Sequence, residues 1–168
     1  MTIRKIMLLG DVGVGKTSIA NRLVFNRFGG DYKATVGSDI YQYEVIPSPI
    51  EEPFLFNVWD TDGNFGEALF RSVYIRGSNA ALVVGDVKRR RSLETMIELA
   101  RTFETELPGR YLCCVLNKID LLDEGEEPSV PDALVTSGLP YKLTSAASGA
   151  NIVDVFQEAA AAIVRRGQ

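Results

Sequence analysis

One short stretch dictates most of what this chain can fold into. Residues Gly10-Asp11-Val12-Gly13-Val14-Gly15-Lys16-Thr17 fit G-x-x-x-x-G-K-[ST], a pattern that works only where a buried strand runs into it and a helix leaves it. Both neighbours are present. Ile3, Ile6, Met7, Leu8 and Leu9 form an apolar run suited to a buried strand, and Ile19, Leu23 and Val24 recur at helical spacing afterwards. Glycine at 10, 13 and 15 lets the backbone curl so that successive N–H groups face inward, and the helix adds its positive N-terminal end. Such a cradle takes phosphate, with Gly13, Val14, Gly15, Lys16, Thr17 and Ser18 as its contact residues. Lys16 reaches the terminal phosphates, and the Thr17 hydroxyl is a ligand for Mg²⁺, which accepts few protein ligands beside phosphate.

The rest of the chain alternates strands and helices, the signature of a mostly parallel sheet covered on both faces. The patterning predicts strands near 3–9, 39–46, 53–59, 80–86, 111–116 and 140–143, and helices near 16–26, 66–76, 91–106, 131–137 and 150–165. Pro47-Ser48-Pro49 separates the second and third strands as a hairpin, giving one antiparallel edge strand in an otherwise parallel six-stranded sheet with about five helices. The 168 residues show no linker, repeat or low-complexity tract, so a single domain over 1–168 is expected. Ligands in such sheets bind at the carboxyl ends of the strands.

A second motif speaks for the base. After the apolar run Tyr111 to Leu116 comes Asn117-Lys118-Ile119-Asp120, and later Thr144-Ser145-Ala146. At a strand end, the carboxylate of Asp120 can accept both the ring N–H and the exocyclic amine of guanine. Adenine lacks that pair of donors, so the carboxylate selects guanine.

These motifs, together with Thr35 in Tyr32-Lys33-Ala34-Thr35-Val36-Gly37 and the run Trp59-Asp60-Thr61-Asp62-Gly63, stand in the order of a Ras-superfamily small GTPase, and the chain resembles the Rab branch of that superfamily over essentially its whole length. The resemblance implies the small G domain of the P-loop NTPases, binding GTP and GDP with Mg²⁺. It implies Thr17, Thr35 and Asp60 as the metal residues and Gly63 as the backbone N–H that senses the γ-phosphate. Phe28 would pack against the guanine ring, Asn117, Lys118, Asp120 and Ser145 would complete the base site, and Ala146 would present its N–H to the guanine oxygen. Protein effectors and regulators would read switch I (28–38) and switch II (60–75). Trp59 and Tyr74 match two of three aromatic positions of the Rab effector surface, with Ile40 in place of the third. The relatives carry a prenylated cysteine in a tail; no such cysteine ends this sequence, so no lipid anchor is expected from it unless the chain is shortened.

Two departures bear on hydrolysis, whose expected catalytic residues are Lys16, Thr35, Gly63 and Asn64. Asn64 stands where the family has the glutamine that orients the attacking water, one methylene short of its reach, and Val12 crowds the same space. Slow hydrolysis is expected, with a non-hydrolysing guanine-nucleotide scaffold as the alternative. A phosphate-loop ATPase or small-molecule kinase is disfavoured by Asn117 to Asp120. Asp62, where the family has alanine, could turn outward, bias the protein toward GDP or add a ligand to Mg²⁺; the sequence leaves these open.

Composition excludes other classes. A net charge of −4 argues against nucleic acid as a partner, and with no histidine no mechanism needing a histidine base or ligand is possible. Cys113 and Cys114 are adjacent in a strand pattern and so point to opposite faces, which reads as two small buried hydrophobes in a reducing compartment. A cytoplasmic monomer is expected. Lys88-Arg89-Arg90-Arg91 reads as a solvated helix start.

Overall fold

The computed structural model describes residues 1–30, 35–48, 52–63 and 74–168. Strands β1 (Ile3–Gly10), β2 (Ser38–Val45), β3 (Phe54–Thr61), β4 (Ala80–Asp86), β5 (Tyr111–Asn117) and β6 (Tyr141–Leu143) form one sheet in the order β2-β3-β1-β4-β5-β6. Only β2 runs antiparallel, paired with β3 from Ser38↔Thr61 to Val45↔Phe54, and it lies at the edge, as the proline-marked hairpin predicts. All other neighbours are parallel.

Four helices are found among the described residues: α1 (Lys16–Phe25), α2 (Arg90–Glu106), α3 (Asp132–Ser137) and α4 (Ile152–Arg165). The helix expected at 66–76 falls almost wholly outside the described residues.

Parallel strands covered on both faces are apolar throughout rather than alternating. β4 and β5 show this along their full length, every residue of both being buried. The two faces make separate cores. Ile6 and Leu8 of β1 pack with Ile19 and Leu23 of α1 and with Phe156, Ala159 and Ile163 of α4. Met7 and Leu9 pack on the other face with Leu93, Met96, Ala100 and Phe103 of α2. Cys113 belongs to the first core and Cys114 to the second, so the adjacent thiols do lie on opposite faces. α2 can approach β4 closely because Gly85 has no side chain: a Cβ there would lie 2.7 Å from Leu93 Cδ2. No described helix is long and apolar enough to cross a membrane.

Candidate functional site

The phosphate loop leaves β1 at Gly10 and enters α1 at Lys16. Gly15, the residue before the helix, has φ +104°, and a Cβ on it would lie 2.4 Å from Asn117 Nδ2, so glycine is demanded twice over. No side chain caps α1. Its first-turn N–H groups are therefore left for a ligand, and phosphate is the ligand such an end favours. Lys16 is buried with its ammonium inside the loop, donating to the carbonyls of Gly10 (2.9 Å) and Asp11 (2.8 Å). Burial pulls its pKa down to about 8 against the opposing pull of Asp60, Asp11 and Asp62.

A cavity of about 600 Å³ opens above the loop at the carboxyl ends of β1, β3 and β5. Of the residues expected to bind nucleotide, Gly13, Gly15, Lys16, Thr17, Ser18, Phe28, Thr35, Gly63, Asn117, Lys118, Asp120 and Ala146 line it. Val14 and Ser145 are fully buried and do not line it. Asn64 lies outside the described residues. Phe28 and Leu121 line the cavity as apolar side chains with more than half their surface exposed, area that a planar base would cover.

The base end is densely cross-linked. Asn117, 1% exposed, donates from Nδ2 to the Val14 carbonyl at 3.0 Å, and its Oδ1 accepts from the Thr144 hydroxyl (3.0 Å) and the Ala146 N–H (3.2 Å). Lys118 donates to the Gly13 carbonyl at 2.7 Å and pairs with Asp86 at 2.9 Å. Asn117 and Lys118 thus brace the phosphate loop as well as line the cavity, and the Ala146 N–H, expected to face the base, is shared with Asn117. Asp120 is oriented by the Ser145 hydroxyl at 2.6 Å. Arg22 of α1 clamps the loop beyond, donating to the carbonyls of Ala146 (2.8 Å) and Ala147 (2.6 Å).

At the opposite end Thr17, Thr35 and Asp60 meet although they come from three segments. The Thr17 hydroxyl donates to Asp60 Oδ2 at 2.5 Å and lies 2.9 Å from the Thr35 hydroxyl, which is 3.4 Å from the same carboxylate oxygen. Asp60 is fully buried, its Oδ1 has no hydrogen-bond partner among the described residues, and burial raises its pKa above the usual carboxylate range. A buried carboxylate oxygen without a partner is costly unless a cation or its water shell completes it. Two hydroxyls and a carboxylate form the all-oxygen donor set that Mg²⁺ prefers, so the residues fit that ion. Gly63 closes this end; a Cβ there would lie 2.4 Å from the Val12 nitrogen, so its backbone sits against the phosphate loop as only glycine can.

The fold, the phosphate loop and the guanine-type base motif point to one family, and comparison with known proteins decides it: the family model described as "Ras family" matches residues 5–165. The chain belongs to the Ras family. Among similar proteins are "Ras-related protein Rab7" of Pisum sativum, 30% identical over 99% of this chain and 85% of the relative, and the same-named protein of Prunus armeniaca, 33% identical over 91% and 78%. "Ypt/Rab-type GTPase ypt7" of Schizosaccharomyces pombe is 31% identical over 93% and 80%. This Ras-family chain is therefore a Rab-like small GTP-binding switch protein.

Pattern reading missed the residues that hold this site from behind. Asp86 at the end of β4 is 3% exposed and accepts from Lys118 and from the Lys88 N–H. The run 88–91 is exposed at the start of α2, as expected, and within it Arg89 also reaches the phosphate loop, bonding the Val12 carbonyl through both terminal nitrogens at 2.9 Å and Asp11 at 2.9 Å. Its exposed neighbours Lys88 and Arg90 pair at the surface with Glu126 and Glu94. Toward the expected effector face, Ile40 and Trp59 are cross-strand partners. Lys5 lies 4.1 Å from the centre of the Trp59 ring and donates to the Tyr74 and Arg76 carbonyls.

Proposed function

We propose that this chain cycles between GTP-bound and GDP-bound states with Mg²⁺ and hydrolyses GTP slowly when unaided. The observation that carries the reading is the meeting of Thr17, Thr35 and Asp60 at one end of a cavity whose other end holds Asn117, Lys118, Asp120 and Ala146. Thr17 and Thr35 would hold the metal, with Asp60 behind them. When bound, Mg²⁺ neutralises charge on the terminal phosphates. Lys16 would exchange its two loop carbonyls for phosphate oxygens, and the loop N–H groups from Gly13 to Ser18 would cradle the rest. Asp120, held by Ser145, would select guanine, with Ala146 beside it and Phe28 covering the ring.

Thr35 and Gly63 would be drawn to the γ-phosphate and released on its loss, making segments 28–38 and 60–75 the surface that effectors and regulators read. Both cores pack on one sheet, which supports a single G domain over 1–168. Val12 lines the cavity, and with Asn64 a methylene short, the water-positioning arrangement is weak. The same observation favours a second reading, a guanine-nucleotide scaffold that does not hydrolyse at all.

Single-turnover hydrolysis tests both. The wild type should turn over no faster than the intrinsic rate of a glutamine-bearing relative, on the order of 10⁻⁴ per second. Val12→Gly and Asn64→Gln should each gain little, and the double variant more than the two gains combined, as for groups sharing one transition state. Brisk unaided turnover would defeat the slow-hydrolysis reading, and no phosphate release at all would establish the scaffold.

A further inference from the structure

Three carboxylates, Asp11, Asp60 and Asp62, bear on the Lys16 ammonium at the phosphate end of the cavity. Two have roles in holding the site. Asp11 is paired with Arg89 at 2.9 Å and accepts the Val12 N–H at 2.8 Å. Asp60 is wholly buried and takes the Thr17 hydroxyl. Asp62 differs in position, because it lines the cavity itself alongside Thr35, Gly63 and Val12. Its backbone N–H donates to the Gly37 carbonyl at 2.9 Å, which anchors the residue to the segment following Thr35.

We propose that Asp62 sets the nucleotide preference of this protein, opposing the γ-phosphate so that the GDP-bound form is the resting state. The inference rests on the guanine-nucleotide reading above. GTP differs from GDP by one phosphoryl group and its negative charge, carried to the end of the cavity where Asp62 stands. Asp11 is taken up by Arg89, while Lys16 still faces the charges of Asp60 and Asp62 before the γ-phosphate arrives. Two like unit charges about 4 Å apart disfavour each other by about fivefold when fully hydrated and by about a thousandfold at an effective dielectric near 20. A partly open cavity lies between these limits. GDP brings no γ-phosphate against the carboxylate, so the penalty falls on GTP alone.

The test is equilibrium binding of GDP and of a hydrolysis-resistant GTP analogue, in saturating Mg²⁺, to the wild type, Asp62→Ala and Asp62→Asn. The wild type should prefer GDP. Both variants should gain at least tenfold in affinity for the GTP analogue while GDP affinity moves by less than about threefold; the asparagine variant keeps the side chain's size if the alanine variant folds poorly. An unchanged preference with GDP still bound tightly would overturn this inference and leave the guanine-nucleotide reading standing. Weaker binding of the GTP analogue by Asp62→Asn would overturn it too, since the carboxylate would then be assisting the metal. Failure of the wild type to bind GDP at all would overturn both.

Discussion

The two ends of the cavity are finished to different degrees. At the base end the polar groups find partners within the chain: Asn117 satisfies Val14, Thr144 and Ala146, Lys118 joins Gly13 to Asp86, and Ser145 fixes Asp120. At the phosphate end a fully buried carboxylate keeps one oxygen without a partner among the described residues, and a lysine folds back on its own loop. A network whose members are satisfied is rigid and discriminates by shape and donor pattern, whereas one left incomplete responds to what enters it. On the proposed reading the difference would assign identity to one end and state to the other: the first would recognise which nucleotide is present, and the second would respond to how many phosphates it carries.

The largest expected effect tests the rigid end. Asp120→Asn replaces an acceptor of two N–H groups with a side chain that offers one acceptor and one donor, mismatching guanine and suiting xanthine, which carries a carbonyl where guanine has its amine. Loss of charge-assisted hydrogen bonds should weaken GDP by about a hundredfold or more and improve xanthosine diphosphate. Calorimetric titration of both proteins with both nucleotides measures it. Unchanged GDP affinity in the variant would break the comparison, because the base end would then not be reading the base.

A middle-sized effect separates the ends through their arginines. Arg22 grips the carbonyls of Ala146 and Ala147 at the base end, and Arg89 grips the Val12 carbonyl and Asp11 at the phosphate end. Each alanine replacement should cost about three- to tenfold in GDP affinity, the worth of one or two hydrogen bonds. The signature lies in discrimination. Arg22→Ala should narrow the preference for GDP over inosine diphosphate, which lacks the exocyclic amine, while Arg89→Ala should weaken both equally. If the two variants behave alike, the two ends are mechanically one.

These arginines also mark where the sequence stops being readable. The phosphate loop, the base motif and all six strands could be read because each rests on a local pattern: glycines at a turn, a carboxylate at a strand end, an unbroken apolar run such as Leu112 to Leu116. The edge strand β2, with its polar alternation, was also legible, through the prolines after it. Arg22 and Arg89 bind backbone carbonyls more than seventy residues away, and a carbonyl carries no residue identity for a pattern to catch. The second task of Asn117 and Lys118, bracing Val14 and Gly13, escaped for the same reason. Asp86 looked like an ordinary strand terminus, and only the parallel pairing of β4 with β5 brings it to Lys118.

The smallest expected effect concerns the strand on which the rigid end stands. β5 carries Asn117 at its end and Cys114 three residues before it. Cys114 is fully buried, and desolvation, with a smaller push from Cys113, raises its thiol to about 12. In the unfolded chain a thiol titrates near 8.5. Between these values the unfolded chain releases a proton that the folded protein keeps, so the folded state binds more protons and its stability falls as pH rises. The contribution is whole below about pH 8.5 and declines above it by at most about 1.4 kcal/mol per pH unit for each such thiol. Urea unfolding from pH 8 to 10.5 should show this decline in the wild type and a shallower one in Cys114→Ala, even though the variant starts less stable for the small cavity it leaves. Equal slopes would mean that the thiol ionises within the fold, and β5 would then be less tightly closed than the base end's discrimination requires.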